Sequence, residues 1–389
     1  MKVLSFSYCF PNSRTPTWGV FVQQRLTAMA DLVDLEVVSP TPTFPLVTRL
    51  RGGLPAESNA PGGLRIHRPR YLSLPGILKS IEGRMYARGL RRWLGDFCAR
   101  RRPDVLDAHF VWPDGVGVGL LARRLGIPYT ITLRGWLYEA MGNKHILRQC
   151  VEAMQHAAGI ISVSGHLAQT AAELGVDRSR IHVIPNGVNT DQFFPRDKDL
   201  CRKELGLPTD GRLIVTVAHL GPRKGHLEAL EAIARLPEDV RLVLVGGDPE
   251  GGKNERRLRG RIGELGLDGR VLLAGPQPYA RVPLYLCAAD ASVLASYREG
   301  CPNVVLESLA CGTPVVATEV GAVPDLVDPG KNGQVVPPRD AKSLGEGIEA
   351  VLEMPWSAQE VSASVAGRSW QSVARDVRDV LASACETAP

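Results

Sequence analysis

The sequence predicts an α/β protein built from two tandem doubly wound domains, each a parallel sheet with helices on both faces. Three observations carry that expectation: a length of 389 residues, short continuous apolar runs alternating with helical stretches, and glycine and proline concentrated between the runs. At roughly 150 residues per domain, the length gives between two and three domains. Apolar runs without polar alternation belong to strands buried on both faces, as parallel sheets require. The 40 glycines and 29 prolines punctuate these runs and imply many tight strand-to-helix turns.

The first half offers strand runs at 3–6, 35–38, 105–108, 129–133, 159–163 and 181–184. The opening Met1-Lys2-Val3-Leu4-Ser5-Phe6 carries one cation and leads into Pro11-Asn12 with no small-residue cleavage site, so it reads as the first strand and not as a secretion signal. The pattern restarts with runs at 213–217, 240–245, 271–274, 291–294 and 314–317. Between the halves, the polar stretch 190–210, with Phe193-Phe194-Pro195 and the charges from Arg196 to Asp199, reads as the connection.

Hydrophobic residues make up 44% and charged residues 22%, and no apolar run approaches the ~20 residues of a membrane span, so a soluble globular protein is expected. The eight cysteines form no C-x-x-C pair, which fits neither a disulfide framework nor a structural zinc site and points to a reducing cytoplasm. The net charge of +5 divides into +10 for residues 1–190 (23 Lys and Arg, 13 Asp and Glu) and −5 for the rest (23 and 28). The excess concentrates at 65–102, where eleven basic residues face only Glu82 and Asp96. There Ile77, Leu78, Ile81, Met85, Leu90, Trp93, Leu94 and Phe97 alternate with arginines, as in an amphipathic helix on anionic lipid headgroups; an ordinary solvated helix face has the same pattern. No nucleic-acid-binding module accompanies the charge.

Ligands of open α/β sheets bind beyond the carboxyl ends of the strands. The turns there contain His109, the run His219-Leu220-Gly221-Pro222-Arg223-Lys224-Gly225, and the run from Ser296 to Glu307. Pro302-Asn303 is suited to start a helix that ends before Gly312. A helix N-terminus attracts a diphosphate, and Glu307, one turn inside, is placed to accept both hydrogen bonds of a vicinal diol. Glu299, ahead of the helix, would meet the other end of the same ligand.

The run from Glu299 to Thr318, EGCPNVVLESLACGTPVVAT, resembles the two-glutamate motif of family 4 retaining glycosyltransferases. The resemblance extends through Trp18-Gly19-Val20, Ala108-His109-Phe110, Pro185-Asn186-Gly187-Val188, Lys224-Gly225 and Ser369-Trp370-Gln371-Ser372-Val373-Ala374. It implies the GT-B fold, two Rossmann-like domains facing a central cleft, divided here as 1–190, 191–366 and a last helix at 367–389 that crosses back to the first domain. It also implies a nucleoside diphosphate sugar donor of the UDP or GDP type, with Glu307 on the ribose hydroxyls and Glu299 on the sugar. The backbone of Gly300, Cys301, Pro302, Asn303 and Val304 would lie along sugar and diphosphate, Lys224 and Arg223 on the phosphates, and Gly19 close to the phosphate. His109 would orient the transferring sugar or handle a proton, with Arg134 and Ser164 on the acceptor side. No metal and no cofactor is implied. Where many relatives read Gly-Arg-Leu, this chain has Ala218-His219-Leu220, so either Arg223 replaces the phosphate arginine or His219 contributes and makes donor binding pH-sensitive.

Three other patterns are weaker. Gly247 to Asn254 nearly matches a phosphate-binding loop but has Asn254 where Ser or Thr would ligate magnesium. Asp197-Lys198-Asp199 has a metal-ligand spacing yet sits in the charged connection, and the alternating glycines Gly115, Gly117 and Gly119 fit close helix packing. The expectation is a retaining, metal-independent hexosyltransferase acting on a hydroxyl of a glycan or lipid-linked acceptor, in surface polysaccharide or lipid-linked glycan assembly. It would be cytoplasmic and peripheral on the inner face of the plasma membrane through 65–102. The rivals are a nucleotide-sugar 2-epimerase and a catalytically silent nucleotide-sugar-binding subunit.

Overall fold

The computed structural model describes residues 1–44, 54–60, 63–74 and 79–386. The chain divides into two compact units, Met1–Asn186 with Trp370–Pro389, and Gly187–Ser369. The first break comes four residues before the expected boundary at 190, and the second three residues after the one at 366. The cause is local pairing: the Val188 amide donates to the Arg368 carbonyl at 2.9 Å, and Val188 bridges Ser369.

In the first unit, β1 (Lys2–Phe6), β2 (Asp34–Val38), β4 (Glu57–Asn59), β5 (Arg65–His67), β7 (Val105–Ala108), β8 (Tyr129–Leu133), β9 (Gly159–Ser162) and β10 (Ile181–Val183) form one sheet in the order β10-β9-β8-β7-β1-β2-β5-β4. All neighbours are parallel except β4 and β5, and β3 (Thr41–Thr43) pairs separately with β6 (Arg70–Leu72). The strand order reverses between β1 and β7, so the turns that follow them lie side by side; the His109 amide donates to the Phe6 carbonyl at 2.9 Å. Strands β3 to β6 escape the sequence reading because each has three residues and at least one exposed polar side chain or none of the long apolar runs. The helix Val20–Ala30 buries Val22, Leu26 and Met29. The last helix, Trp370–Glu386, buries Trp370, Val373, Val377, Val380 and Leu381 in the same core, a spacing that keeps one stripe inward.

The second unit has six parallel strands in the order β13-β12-β11-β14-β15-β16: β11 (Arg212–Val217), β12 (Val240–Val245), β13 (Val271–Gly275), β14 (Ala291–Leu294), β15 (Val315–Thr318) and β16 (Gly333–Val336). Ile214, Leu242 and Leu244 enter one core while Val215, Val243 and Val245 enter the other, so both sheet faces are covered. The reversal here falls between β11 and β14, and β16 is an added strand.

Among the described residues no helix is long and apolar enough to cross a membrane. The helix Glu82–Arg100 is amphipathic, with an apolar stripe and an arginine-rich face. Its apolar residues Tyr86, Leu90, Leu94 and Phe97 are buried in the first unit, and its exposed face carries Arg84, Arg88, Arg91, Arg92 and Arg100. Ile77 and Leu78 lie outside the described residues. The connection also contains more structure than expected: Asp197 caps the helix Lys198–Leu205 by accepting from the Leu200 amide at 2.8 Å. In the phosphate-loop lookalike, Asp248 takes the amides of Glu250 and Glu255 and the Asn254 side chain onto its own carboxylate. A Cβ on Gly117 would lie 2.3 Å from Tyr86, which accounts for that glycine by helix packing.

Candidate functional site

In the second unit, the turns after β11 and β14 are tied by the Tyr297 amide, which donates to the Arg223 carbonyl at 2.9 Å. Pro222–Lys224 form one tight helical turn, and Gly225 follows at φ 67 with its Cα so close to the neighbouring strand end that a Cβ would lie 1.9 Å from the Ala295 carbonyl oxygen. This approach brings Lys224 to Glu299, with Nζ 2.6 Å from Oε1; both side chains are mostly buried, at 21% and 15% exposure. Arg223 is exposed on the same turn. His219 accepts the Gly221 amide on Nδ1 at 3.1 Å, and burial, followed by the Lys224 cation, lowers its pKa. Its ring is therefore neutral at neutral pH, which leaves the positive charge of this turn to Arg223 and Lys224.

Gly300 and Cys301 lead to Pro302, the N-cap of the helix Asn303–Ala310, which no side chain caps. Asn303 and Val304 form its first turn. The loop is held from outside: the Ala322 amide donates to the Gly300 carbonyl at 2.9 Å, and a Cβ on Gly321, at φ 55, would fall 2.4 Å from that oxygen. One turn into the helix, Glu307 is buried and accepts the Tyr279 hydroxyl on Oε1 at 2.7 Å. Burial raises its pKa to about 7, with the Tyr279 bond acting in the opposite direction.

In the first unit, His109 follows β7 and is fully buried. Its Nε2 lies 3.0 Å from Ser5 Oγ and 3.2 Å from Asp107 Oδ2. Asp107 also receives Arg25 at 3.0 Å, Ser5 at 2.9 Å and Thr130 at 3.1 Å, while Arg25 donates to Thr132 at 2.8 Å. Burial raises the Asp107 carboxyl, but Arg25 and then His109 override it and hold it far below the carboxylate range. Burial and Arg25 push His109 down to about 4. The ring is thus neutral with its proton on Nε2, and Nδ1 is an acceptor with no partner among the described residues.

Gly19, at φ 82, starts the helix Val20–Ala30, and a Cβ there would lie 2.3 Å from the Cys9 carbonyl oxygen. Arg134 bonds Asn186 Oδ1 at 2.9 Å and lies 4.7 Å above the Phe21 ring. Ser164 caps the helix Gly165–Glu173 by accepting the Leu167 amide at 3.2 Å, so its oxygen has a structural task. No group of three or more His, Cys, Asp or Glu placed to hold a metal occurs among the described residues.

Sequence reasoning missed the partners that shape these groups: Arg25 and Asp107 around His109, Tyr279 on Glu307, and Gly321 beside the Glu299 loop. Only Asp107 had a clear signal, a carboxylate inside an otherwise apolar strand.

Comparison with known proteins places the chain in a family. Residues 19–192 match the Glycosyltransferase Family 4 model and residues 197–370 the Glycosyl transferases group 1 model. The chain is 32% identical to the Bacillus subtilis (strain 168) protein named "Putative teichuronic acid biosynthesis glycosyltransferase TuaC", over 90% of this chain and 88% of that one. Among solved structures, sucrose-phosphate synthase from Thermosynechococcus elongatus superposes with a TM-score of 0.81 over 98% of each chain at 22% identity. Anabaena HepE, solved in complex with UDP and glucose, gives 0.77 over 98% of this chain and 100% of that one at 20% identity. With two Rossmann-like units of the GT-B type and a relative of this identity along nearly its whole length, the chain belongs to the group 1 glycosyltransferases of family 4.

Proposed function

We propose that the protein is a retaining glycosyltransferase that moves a hexose from a nucleoside diphosphate sugar to a hydroxyl acceptor without a metal ion, in surface polysaccharide or lipid-linked glycan assembly. The observation that carries this reading is the convergence of Lys224, Glu299 and Glu307 at one end of the second sheet, with the two carboxylates flanking the start of the helix Asn303–Ala310. Glu307 accepts the ribose diol, the Gly300 to Val304 backbone lies along sugar and diphosphate, and Glu299 takes sugar hydroxyls. Lys224, with Arg223, faces the departing diphosphate, whose charge grows in the transition state, so a preorganised cation there lowers the barrier. No metal is needed for that task.

In the first unit, neutral His109 offers Nδ1 as an acceptor for a sugar hydroxyl. Its depressed pKa favours an orienting role over that of a proton donor at neutral pH. Gly19 gives close backbone access to phosphate, and Arg134 serves the acceptor. The acceptor hydroxyl attacks on the face from which the diphosphate leaves: the new glycosidic C–O bond forms as the sugar–phosphate bond breaks, and the leaving phosphate takes the acceptor proton. Trapping a covalent glycosyl-enzyme would refute this step.

The test is thermal stability in EDTA with UDP, GDP, ADP and their sugar conjugates, beside Glu307→Ala. A ligand at ~100 times its dissociation constant adds about 2.7 kcal/mol. One nucleotide series should raise Tm without metal and have little effect on the variant; a strict need for a divalent ion, or no shift at all, overturns the reading.

The protein is further proposed to be cytoplasmic and to contact anionic lipid through the exposed arginines of Glu82–Arg100. Attraction of that kind is screened by salt. Anionic vesicles should bind the protein at low salt and release it at high salt, and equal binding to neutral vesicles would reject the contact.

A further inference from the structure

Tyr279 lies outside the glutamate motif, yet it donates its hydroxyl to Oε1 of the buried Glu307 at 2.7 Å. The tyrosine is itself fixed. It opens the turn Tyr279–Arg281 after β13, its carbonyl accepts from Gln192 Nε2 at 3.1 Å, and its ring packs at 5.4 Å against that of fully buried Phe193. The segment leading into the second unit thus aims the phenol at Glu307.

A carboxylate oxygen has two lone pairs, so the Tyr279 bond leaves one on Oε1 and two on Oε2. A vicinal diol needs two acceptors. A protonated carboxyl would instead present an O–H to one of the two hydroxyls. Burial favours that protonated form, whereas a donor bonded to the charged form opposes it. We propose that Tyr279 is a positioning residue for the nucleoside: its hydroxyl holds the Glu307 carboxylate ionised and oriented so that the remaining lone pairs meet the ribose diol. The inference rests on the reading of Glu307 as the ribose acceptor.

Other groups do not supply this effect. Burial raises the Glu307 carboxyl and the Tyr279 hydroxyl opposes it. Cys311, just past the end of the same helix, is raised by its contact with Cys287 and by burial, and less by Glu307, and remains a neutral thiol. The three helices packed against Asn303–Ala310 carry Tyr285 and Cys287, Asp325, and Glu360, and none of these shifts the Glu307 carboxyl.

The experiment measures the affinity of the nucleoside diphosphate, chosen from UDP, GDP and ADP by its thermal shift, between pH 6 and 9 for wild type, Tyr279→Phe and Glu307→Gln. Phenylalanine keeps the ring packing on Phe193. A lost hydrogen bond to a charged group predicts roughly tenfold weaker binding for Tyr279→Phe at pH 7. The pH at which its binding is half-maximal should move upward, and the deficit should shrink to within about threefold at pH 9, where the carboxyl is ionised in both proteins. A merely structural tyrosine would weaken binding equally at every pH, and that result, or wild-type behaviour, overturns the proposal. If Glu307→Gln binds like wild type, the ribose reading itself fails. If Glu307→Gln binds poorly while Tyr279→Phe keeps the wild-type pH profile, the Tyr279 proposal alone fails.

Discussion

Lys224 Nζ sits 2.6 Å from Glu299 Oε1, so a cation from the turn after β11 and a carboxylate from the turn after β14 neutralise each other in a partly buried pair. Neither loop could hold its charge there alone without losing solvation. Glu299→Gln should therefore release Lys224: bare nucleoside diphosphate binds several-fold more tightly, while sugar transfer falls by at least tenfold. Lys224→Met should weaken both. The double variant should show a coupling of roughly 1–3 kcal/mol in binding measured by calorimetry, and additive effects would deny that the two residues act as a pair.

The network under His109 makes a stability prediction. Asp107 and Arg25 are buried at 3.0 Å, and removing one partner of such a pair leaves an uncompensated charge. Asp107→Ala should lose about 3–5 kcal/mol in urea denaturation. The imidazole adds a pH dependence. Its pKa lies at about 4 in the fold, below the ordinary 6.5, so the unfolded chain binds the proton first as pH falls. Its contribution is complete above pH 6.5 and is lost toward pH 4, by about 3 kcal/mol over that window. A stability curve flat from pH 7 to 4.5, once the other groups are matched by comparison with His109→Gln, would contradict this.

Asp114 has the opposite sign. It is fully buried and takes the Tyr8 amide on both oxygens, at 3.2 and 3.1 Å, and burial raises its pKa from 3.8 to about 8. Between these values the folded chain holds a proton that the unfolded chain has released. The associated stability is present below pH 4 and is lost as pH rises through 8. Asp114→Asn keeps an oxygen for the Tyr8 amide and cannot ionise. Relative to wild type, it should gain roughly 2–3 kcal/mol between pH 6 and pH 8, read as the difference in unfolding free energy at each pH. An unchanged difference would place the proton elsewhere.

Much of this architecture is legible in the residues. The central strands announce themselves because a parallel sheet covered on both faces needs unbroken apolar runs such as 213–217 and 240–245, and these became β11 and β12. Strands β3 to β6 and β16 carry no such run; they are ordered by their neighbours, as Arg65–His67 is by pairing with both β2 and β4. The same limit applies at the site. Glu299, Glu307, Lys224 and His109 are close in sequence to glycines and strand ends that mark them, whereas Tyr279 reaches Glu307 across 28 residues and Arg25 reaches Asp107 across 82. In the basic helix the sequence pattern does not say what the apolar stripe meets: alternating arginines and apolar residues look the same against lipid or, as here, against the helix Val116–Leu125 and its neighbours.

Two glycines outside the glutamate run set the position of that run, and their replacement separates steric from chemical roles. Gly225 stands at φ 67 with room for no Cβ, 1.9 Å from the Ala295 carbonyl oxygen, and Gly321 stands at φ 55 with a Cβ position 2.4 Å from the Gly300 carbonyl and 2.5 Å from that of Glu299. In both cases the obstacle is backbone, which cannot rotate away as a side chain can. Gly225→Ala meets the shorter contact between two core-anchored segments, so it should lose stability by more than about 2 kcal/mol in thermal or urea unfolding. Gly321→Ala presses on a loop, so the loop should give way before the core does. Its Tm should fall by only a few degrees while transferase activity drops by at least tenfold, because in the proposed role of Glu299 a displacement of even ~1 Å spoils the alignment of the sugar. Full activity in Gly321→Ala would show that the Glu299 loop tolerates displacement and that the glycine serves only the backbone turn.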